Sequence, residues 1–302
     1  MKDSPTGCIP LSVVIATTHP WPELKMTLDS LWSQIQQLHG ELIIADGDGN
    51  GVPADFATRF PGAIAIQLPG ASIFVLRSTG MQRARGQIVA VTEDHCRLSP
   101  DWCAGLLESH RMHPEAAVIS GSVENGSPDA LIDWANFFIA HAPMMGPVKN
   151  GEVKDVSLAG AAFKRHALPQ EIPRHGVMEM LYIRELSRRG GKLFVNSEIS
   201  LDHVQSHGFW RTFAVHYHNG RSIAGFRRLK LGPWQLLLRL GSCAILPLFL
   251  LSRSAYSVIK KRRFVPQLLL SFPLMAALAT CHAAGEVAGY IAGAGKSPTR
   301  LS

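Results

Sequence analysis

Three consecutive side chains able to hold a cation, Glu93, Asp94 and His95, follow the apolar, β-branched run Ile88-Val89-Ala90-Val91 after the single residue Thr92. That run has the length of a buried strand, so the three groups fall at its carboxyl edge, where open α/β sheets bind ligands. Carboxylate oxygens and an imidazole nitrogen at such an edge suit a divalent cation, and the cation in turn would hold a phosphate. The same residues also fit a plain acidic turn before a helix begun at Ser99-Pro100-Asp101, and the triplet alone does not separate the two. Asp46 is a second candidate, placed at the end of an apolar run and followed by Gly47, Gly49 and Gly51, which let a ligand approach the backbone closely. The GDGNG spacing is not GxGxxG, which argues against a dinucleotide fingerprint. Glu179 is a third, at the start of a helical pattern, where the helix dipole also favours a carboxylate. Its neighbour Glu185 has Arg188 and Arg189 at i+3 and i+4, the pattern of a solvated ion pair.

The elements that must position these groups follow in order. Residues 11–15 read as a buried strand, 21–36 as a helix with Pro22 near its first turn, and 41–45 as a second strand, a βαβ unit that implies parallel strands and a right-handed crossover. Leu24, Leu28, Leu31 and Ile35 form the buried face of that helix. A strand at 63–67, a helix at 72–85 and a helix at 102–113 surround the acidic triplet. A strand at 117–119 and a loop at 121–128 come next, then an aromatic-rich segment at 132–139. Residues 156–163 precede a helix at 178–189 and a strand at 192–195. The fold class is α/β.

Of the 302 residues 46% are hydrophobic and 18% charged, more apolar and less charged than an ordinary soluble enzyme. The net charge of +7 is unevenly spread: residues 1–204 carry 17 Lys and Arg against 22 Asp and Glu, and residues 205–302 carry 13 against 1. The basic third is also the most apolar, which points to an anionic membrane surface and away from nucleic acid. Five scattered cysteines without CxxC spacing indicate neither a disulfide framework nor a zinc site, and the expected setting is reducing. No signal peptide is expected, because residues 11–17 lack a cleavage pattern.

Taken in order, LSVVIAT, TLDSLWSQ, ELIIADGDGNG, LRSTGMQRARGQIVAVTEDHCRLSPDW, LAGAAFKR and GVMEMLYIRELSRRGGKL resemble the motifs of the family 2 glycosyltransferases over residues 10–205. The resemblance implies a GT-A type, Rossmann-like mixed sheet flanked by helices, and inverting transfer from a nucleotide-sugar donor. It implies donor binding by Thr17, Asp46, Arg77 and Asp94, and a divalent cation, Mn or Mg, on the triplet that stands in the D-x-D position. Glu93 and His95 are the expected ligands there, with His203 as a further one. Gly160 and Ala161 fall in the family's acceptor loop, and Glu179 falls where the catalytic base stands. The triplet reads Glu93-Asp94-His95, and Met178 replaces the first acid of the usual pair before the base.

The expected organisation is a glycosyltransferase domain at 1–205, a basic interfacial linker at 206–233 and membrane-associated helices at 234–302. Residues 264–285 carry no formal charge and are long enough to span. The interrupted stretch 234–251 is expected either to span or to lie in the interface, and Arg253 with Lys260 to Arg263 is expected in a short loop between the two. Partners implied are the nucleotide-sugar donor, a lipid-linked or surface-glycan acceptor and membrane lipids, at the cell membrane with the catalytic part facing the cytoplasm. A non-catalytic sugar-nucleotide-binding subunit of a membrane glycan assembly is the alternative.

Overall fold

The computed structural model describes residues 9–301. The chain divides into two compact units, Met1–Glu124 with Gly146–His203, and Asn125–Met145 with Val204–Ser302. In chain order, the elements up to the second unit's first helix are β1 (Leu11–Thr17), α1 (Lys25–Gln37), β2 (Glu41–Asp46), the single turn α2 (Phe56–Arg59), β3 (Ile64–Gln67), α3 (Ile73–Arg83), β4 (Ile88–Glu93), β5 (Cys96–Leu98), α4 (Trp102–Met112) and β6 (Ala116–Asn125). Helix α5 (Leu131–His141) belongs to the second unit. The first unit then resumes with β7 (Gly151–Val153), β8 (Gly160–Lys164), α6 (Glu179–Arg188) and β9 (Lys192–His203).

Nine strands among the described residues form one mixed sheet, in the order β3-β2-β1-β4-β8-β6-β9-β5 with β7 on β9. β1 pairs in parallel with both β2 and β4, and β2 with β3, whereas β4 pairs with β8 antiparallel. Every residue of β1 and β2 is buried, as expected of central parallel strands covered on both faces. Val14, Ile43, Val89, Val91 and Phe163 from the sheet share one core cluster with Ile183 of α6, which fixes that helix against the strands. The α/β reading with a mixed sheet agrees with this architecture.

Three local expectations need correction. Pro22 lies in a separate 3₁₀ turn, Trp21–Leu24, ahead of α1. Residues 121–125, expected as loop, are the second half of β6. Gly121 weakens the strand signal but is needed there, because a Cβ would sit 2.1 Å from the Ile199 carbonyl oxygen of β9. The strand expected at 192–195 continues to His203 and so reaches the site.

The second unit is helical: α5, α7 (Phe209–Arg228), α8 (Pro233–Ser242), α9 (Leu246–Lys261) and α10 (Val265–Ala292). Glycines let α7 and α10 meet backbone to backbone, since a Cβ on Gly220 would lie 2.1 Å from the His282 carbonyl oxygen and one on Gly285 2.1 Å from that of Tyr217. α8 and α9 are bent by 59° at their junction, so residues 234–251 are not one helix. Of the basic residues expected in a loop, Arg253, Lys260 and Lys261 belong instead to α9, while Arg262, its left-handed C-terminal cap, and Arg263 lie in the short connection to α10. Among the described residues α10 is the one helix that is by itself long and apolar enough to cross a membrane.

Candidate functional site

The parallel strands end together. Register places Thr17 of β1 beside Asp46 of β2 and Ala16 beside Glu93 of β4, so the polar residues that close these strands share one carboxyl edge. Asp94 and His95 form the tight turn from β4 into β5, and Thr27 of α1 pins that turn by donating to the Asp94 carbonyl oxygen at 2.7 Å. β5 pairs with β9 in a register that sets Cys96 against His203, and this pairing carries His203 to the turn. A residue 108 positions away thus joins His95, with Nε2 to Nε2 at 3.1 Å.

Glu93, His95 and His203 each turn one ligand atom into the same space, all within 4.8 Å of one another. His203 Nε2 lies 2.9 Å and His95 Nε2 3.4 Å from Glu93 Oε2. Two imidazoles and a carboxylate are a donor set that fits a divalent transition metal such as Mn²⁺ better than Mg²⁺. The set fits the expected cation.

Asp94 is held by hydrogen bonds on both carboxylate oxygens. Its Oδ1 accepts from His95 Nδ1 at 2.7 Å, and its Oδ2 accepts from Thr17 Oγ1 at 2.6 Å and His19 Nδ1 at 2.8 Å. Both oxygens are therefore occupied, and the bond to Nδ1 leaves His95 Nε2 directed at the cluster, the usual carboxylate–histidine arrangement behind a metal ligand. Without a cation these contacts keep charge in place. Despite burial, bonds from His19 and His95 hold the Asp94 carboxyl far below the ordinary range. Burial opposes protonation of His95, but hydrogen bonds to Asp94 and Glu93 push it up to about 10. Glu93, though buried, is held well below its ordinary value by Arg77 and by bonds from the two histidines. His203 is lowered, chiefly by its own burial.

Arg77 of α3 links this cluster to Glu179. Its Nη2 donates to Glu93 Oε1 at 2.6 Å, and its Nη1 lies 3.6 Å from Glu179 Oε2. α3 starts at Ser72, whose hydroxyl accepts from Val75 N at 3.4 Å, and Ser78 on the same helix accepts from Val177 N at 2.8 Å. Gly176, at φ +77°, lets the segment ahead of α6 lie directly on the α3 backbone. This docking is what sets Glu179, the first residue of α6, beside Arg77. Glu179 is 3% exposed, and among the described residues neither carboxylate oxygen has a hydrogen-bond partner. Burial raises its pKa while Arg77 pulls the other way.

Asp46 forms its own pair: Oδ2 accepts from Trp21 Nε1 at 2.9 Å and Oδ1 from the Asp48 amide at 2.8 Å. Gly160 and Ala161 lie buried in β8, opposite Thr92 and Val91. The glycine has a packing reason, since a Cβ there would come within 2.6 Å of Leu201. Glu185 is ion-paired with Arg189 at 2.9 Å on the solvent side, as its spacing indicates. His19 and Trp21, which hold Asp94 and Asp46, were not singled out from the sequence. The signal available was their place in Thr17-Thr18-His19-Pro20-Trp21, directly after β1.

The chain matches the sequence profile of glycosyl transferase family 2 over residues 12–170. Among solved structures it resembles the mannosyltransferase PcManGT from Pyrobaculum calidifontis in complex with GDP-Man and Mn²⁺, with 16% identity, 94% of this chain and 88% of that one covered, and a TM-score of 0.55. It also overlaps GalNAc-T7 with UDP, GalNAc and Mn²⁺ at 14% identity and a TM-score of 0.46, over 66% of this chain and 43% of that one. No curated protein matches it.

Proposed function

The chain belongs to glycosyl transferase family 2 and has the GT-A fold, and from that premise we propose that it is an inverting glycosyltransferase acting at the cell membrane from the cytoplasmic side. It would move a sugar from a nucleotide-sugar donor to a lipid-linked or surface-glycan acceptor. The observation that carries this reading is the convergence of Glu93, His95 and His203 with Arg77 and Glu179 at one sheet edge. PcManGT, which shares the fold, was solved with GDP-Man and Mn²⁺.

In this reading Glu93, His95 and His203 hold the divalent cation, which as a Lewis acid would offset charge developing on the departing diphosphate. Asp94 keeps His95 in the tautomer that offers Nε2, and Thr17 and His19 keep Asp94 in place. Arg77 brings a fixed positive charge to the donor side, while Asp46, steadied by Trp21, faces the nucleoside. Glu179 removes the proton from the acceptor hydroxyl, a role worth about 10²- to 10⁴-fold. Its raised pKa makes it a stronger base than a solvated glutamate. Gly160 and Ala161 would set the floor on the acceptor side.

Burial of Glu179 is the observation that favours the alternative, a sugar-nucleotide-binding subunit without turnover. The test is transfer from a panel of nucleotide sugars into a membrane extract with Mn²⁺, comparing the parent with Glu179→Gln. Transfer that is lost in the variant while donor binding persists supports catalysis. Equal transfer by both removes Glu179, and donor binding with no transfer by either selects the subunit reading.

A further inference from the structure

The outward face of α8 and α9 is apolar and uncovered within its own unit. Trp234, Leu237, Leu238, Ile245, Leu248 and Phe249 are between 57% and 69% exposed, and α8 has no buried residue. Leu236 and Leu240, four apart on the opposite side, pack on Ala224, Cys243 and Tyr290. The two faces of α8 are thus distinct, one closing the unit and the other left to an outside apolar phase. An exposed apolar face in a unit that also exposes Lys230, Arg239 and Lys260 fits a bilayer with anionic headgroups, and residues 205–302 carry 13 Lys and Arg against the single acid Glu286.

α10 offers a different route into the membrane, and its surroundings speak against it. It packs on helices rich in polar groups: Glu286 of α10 pairs with Arg227 of α7 at 3.2 Å, and Arg221 of α7 donates to the Gly293 carbonyl oxygen at 3.1 Å. On the other flank Arg253 of α9 donates to the Ile139 carbonyl oxygen at the end of α5, and Lys261 donates to that of Pro143 at 2.9 Å. A span would carry the cations of these helices toward the hydrocarbon, where charged side chains are costly. Basic residues also flank both ends of α10, Lys260 to Arg263 before it and Lys296 and Arg300 after it, so either orientation would leave one group on the translocated side.

We propose that the second unit is monotopic: it rests on an anionic bilayer through the outward face of α8 and α9, with α10 packed by one face on α7 and exposing Leu269 and Leu270 on the other, and both ends of α10 on the same side. This rests on the membrane setting proposed above. It gives that setting a mode, a helix pair lying in the interface with the bend between α8 and α9 following the surface.

The full chain is tested by flotation with vesicles of phosphatidylcholine alone and with about one third phosphatidylglycerol. An impermeant maleimide is then applied from outside to vesicle-bound Arg262→Cys and Lys296→Cys proteins. The expected results are binding only to the anionic vesicles, weakened by salt. A Leu237→Ser/Leu238→Ser/Leu248→Ser/Phe249→Ser variant should lose at least about tenfold in partition while its thermal transition is kept. Both cysteines should label equally. Protection of one cysteine overturns the monotopic mode but leaves membrane attachment standing, equal binding of the apolar-face variant overturns the assigned surface, and no binding to either vesicle removes the membrane setting itself.

Discussion

Replacing Arg77 by Met keeps the length and packing of the side chain but removes the cation between Glu93 and Glu179. Arg77 is 8% exposed and Glu179 3% exposed, so little solvent is on hand to take over. Glu93 retains His203 at 2.9 Å, whereas among the described residues the Arg77 contact at 3.6 Å is the only ion pair to Glu179. Removing one partner of a buried pair costs about 3–5 kcal/mol, which for a unit of this size is roughly 6–20 °C in Tm. Glu179 can relieve part of that by taking a proton. Its carboxyl already sits above its ordinary pKa because of burial, so loss of Arg77 raises it further. A carboxyl with a raised folded pKa is most stabilising while protonated and loses that contribution as pH rises, so the Arg77→Met deficit grows as pH is raised from the acid side through neutrality. Thermal unfolding across that range, with Glu179→Gln and the double variant to complete a cycle, measures it. The double variant should recover about 1–3 kcal/mol relative to the additive expectation. Arg77→Met within about 1 kcal/mol of the parent, or an additive cycle, would refute the coupling.

Other outcomes follow from the same geometry. Asp94→Asn should weaken Mn²⁺ binding about 10- to 100-fold without removing a ligand, because it frees the His95 ring; titration calorimetry reads this. In the parent, Mn²⁺ affinity should rise with pH, since His95, held protonated to about 10 by Asp94 and Glu93, must release its proton to bind, and calorimetry in two buffers of different ionisation heat counts that proton. Glu41, bonded to Ser12 Oγ at 2.7 Å and to the Arg85 amide at 2.9 Å, has a lowered pKa despite burial. Its contribution should be complete above the unfolded carboxylate pKa and fall away as pH drops through the lower folded value, and Glu41→Gln should cost about 1.5–3 kcal/mol at neutral pH by thermal unfolding. Gly86→Ala should destabilise by about 1–3 kcal/mol, because its Cβ would stand 2.4 Å from the backbone nitrogen of Ser12, and the same scan reports it.

Much of the first unit was legible because its central strands are buried on both faces. Leu11 to Ala16, Glu41 to Ala45 and Ile88 to Val91 then read as near-continuous apolar runs, and the acids behind them fall at the carboxyl edge without further assumption. β6 and β9 were hidden beyond their first residues. Ser120, Gly121 and Ser122, like Asn196 to Glu198, carry polar or small side chains where neighbouring backbone sets the fit, and no periodicity reports that. His203 illustrates the limit of spacing arguments, since it reaches His95 only through the pairing of β5 with β9. Asp94 illustrates another: its type and place suggest a ligand, but not the hydrogen bonds it accepts from Thr17, His19 and His95. In the second unit hydropathy exposes apolar stretches, and Arg239 and Pro247 mark the interruption of 234–251, but which side of each helix is covered had no sequence signature.

The most direct test of the cation site is Mn²⁺ binding by titration calorimetry or electron paramagnetic resonance, with and without a nucleoside diphosphate, in the parent and in His203→Ala. One equivalent of Mn²⁺ bound by the parent, tightened by the diphosphate and lost in His203→Ala while the fold is kept, is the predicted result. Diphosphate binding that is indifferent to Mn²⁺, or Mn²⁺ binding that survives His203→Ala unchanged, would contradict it.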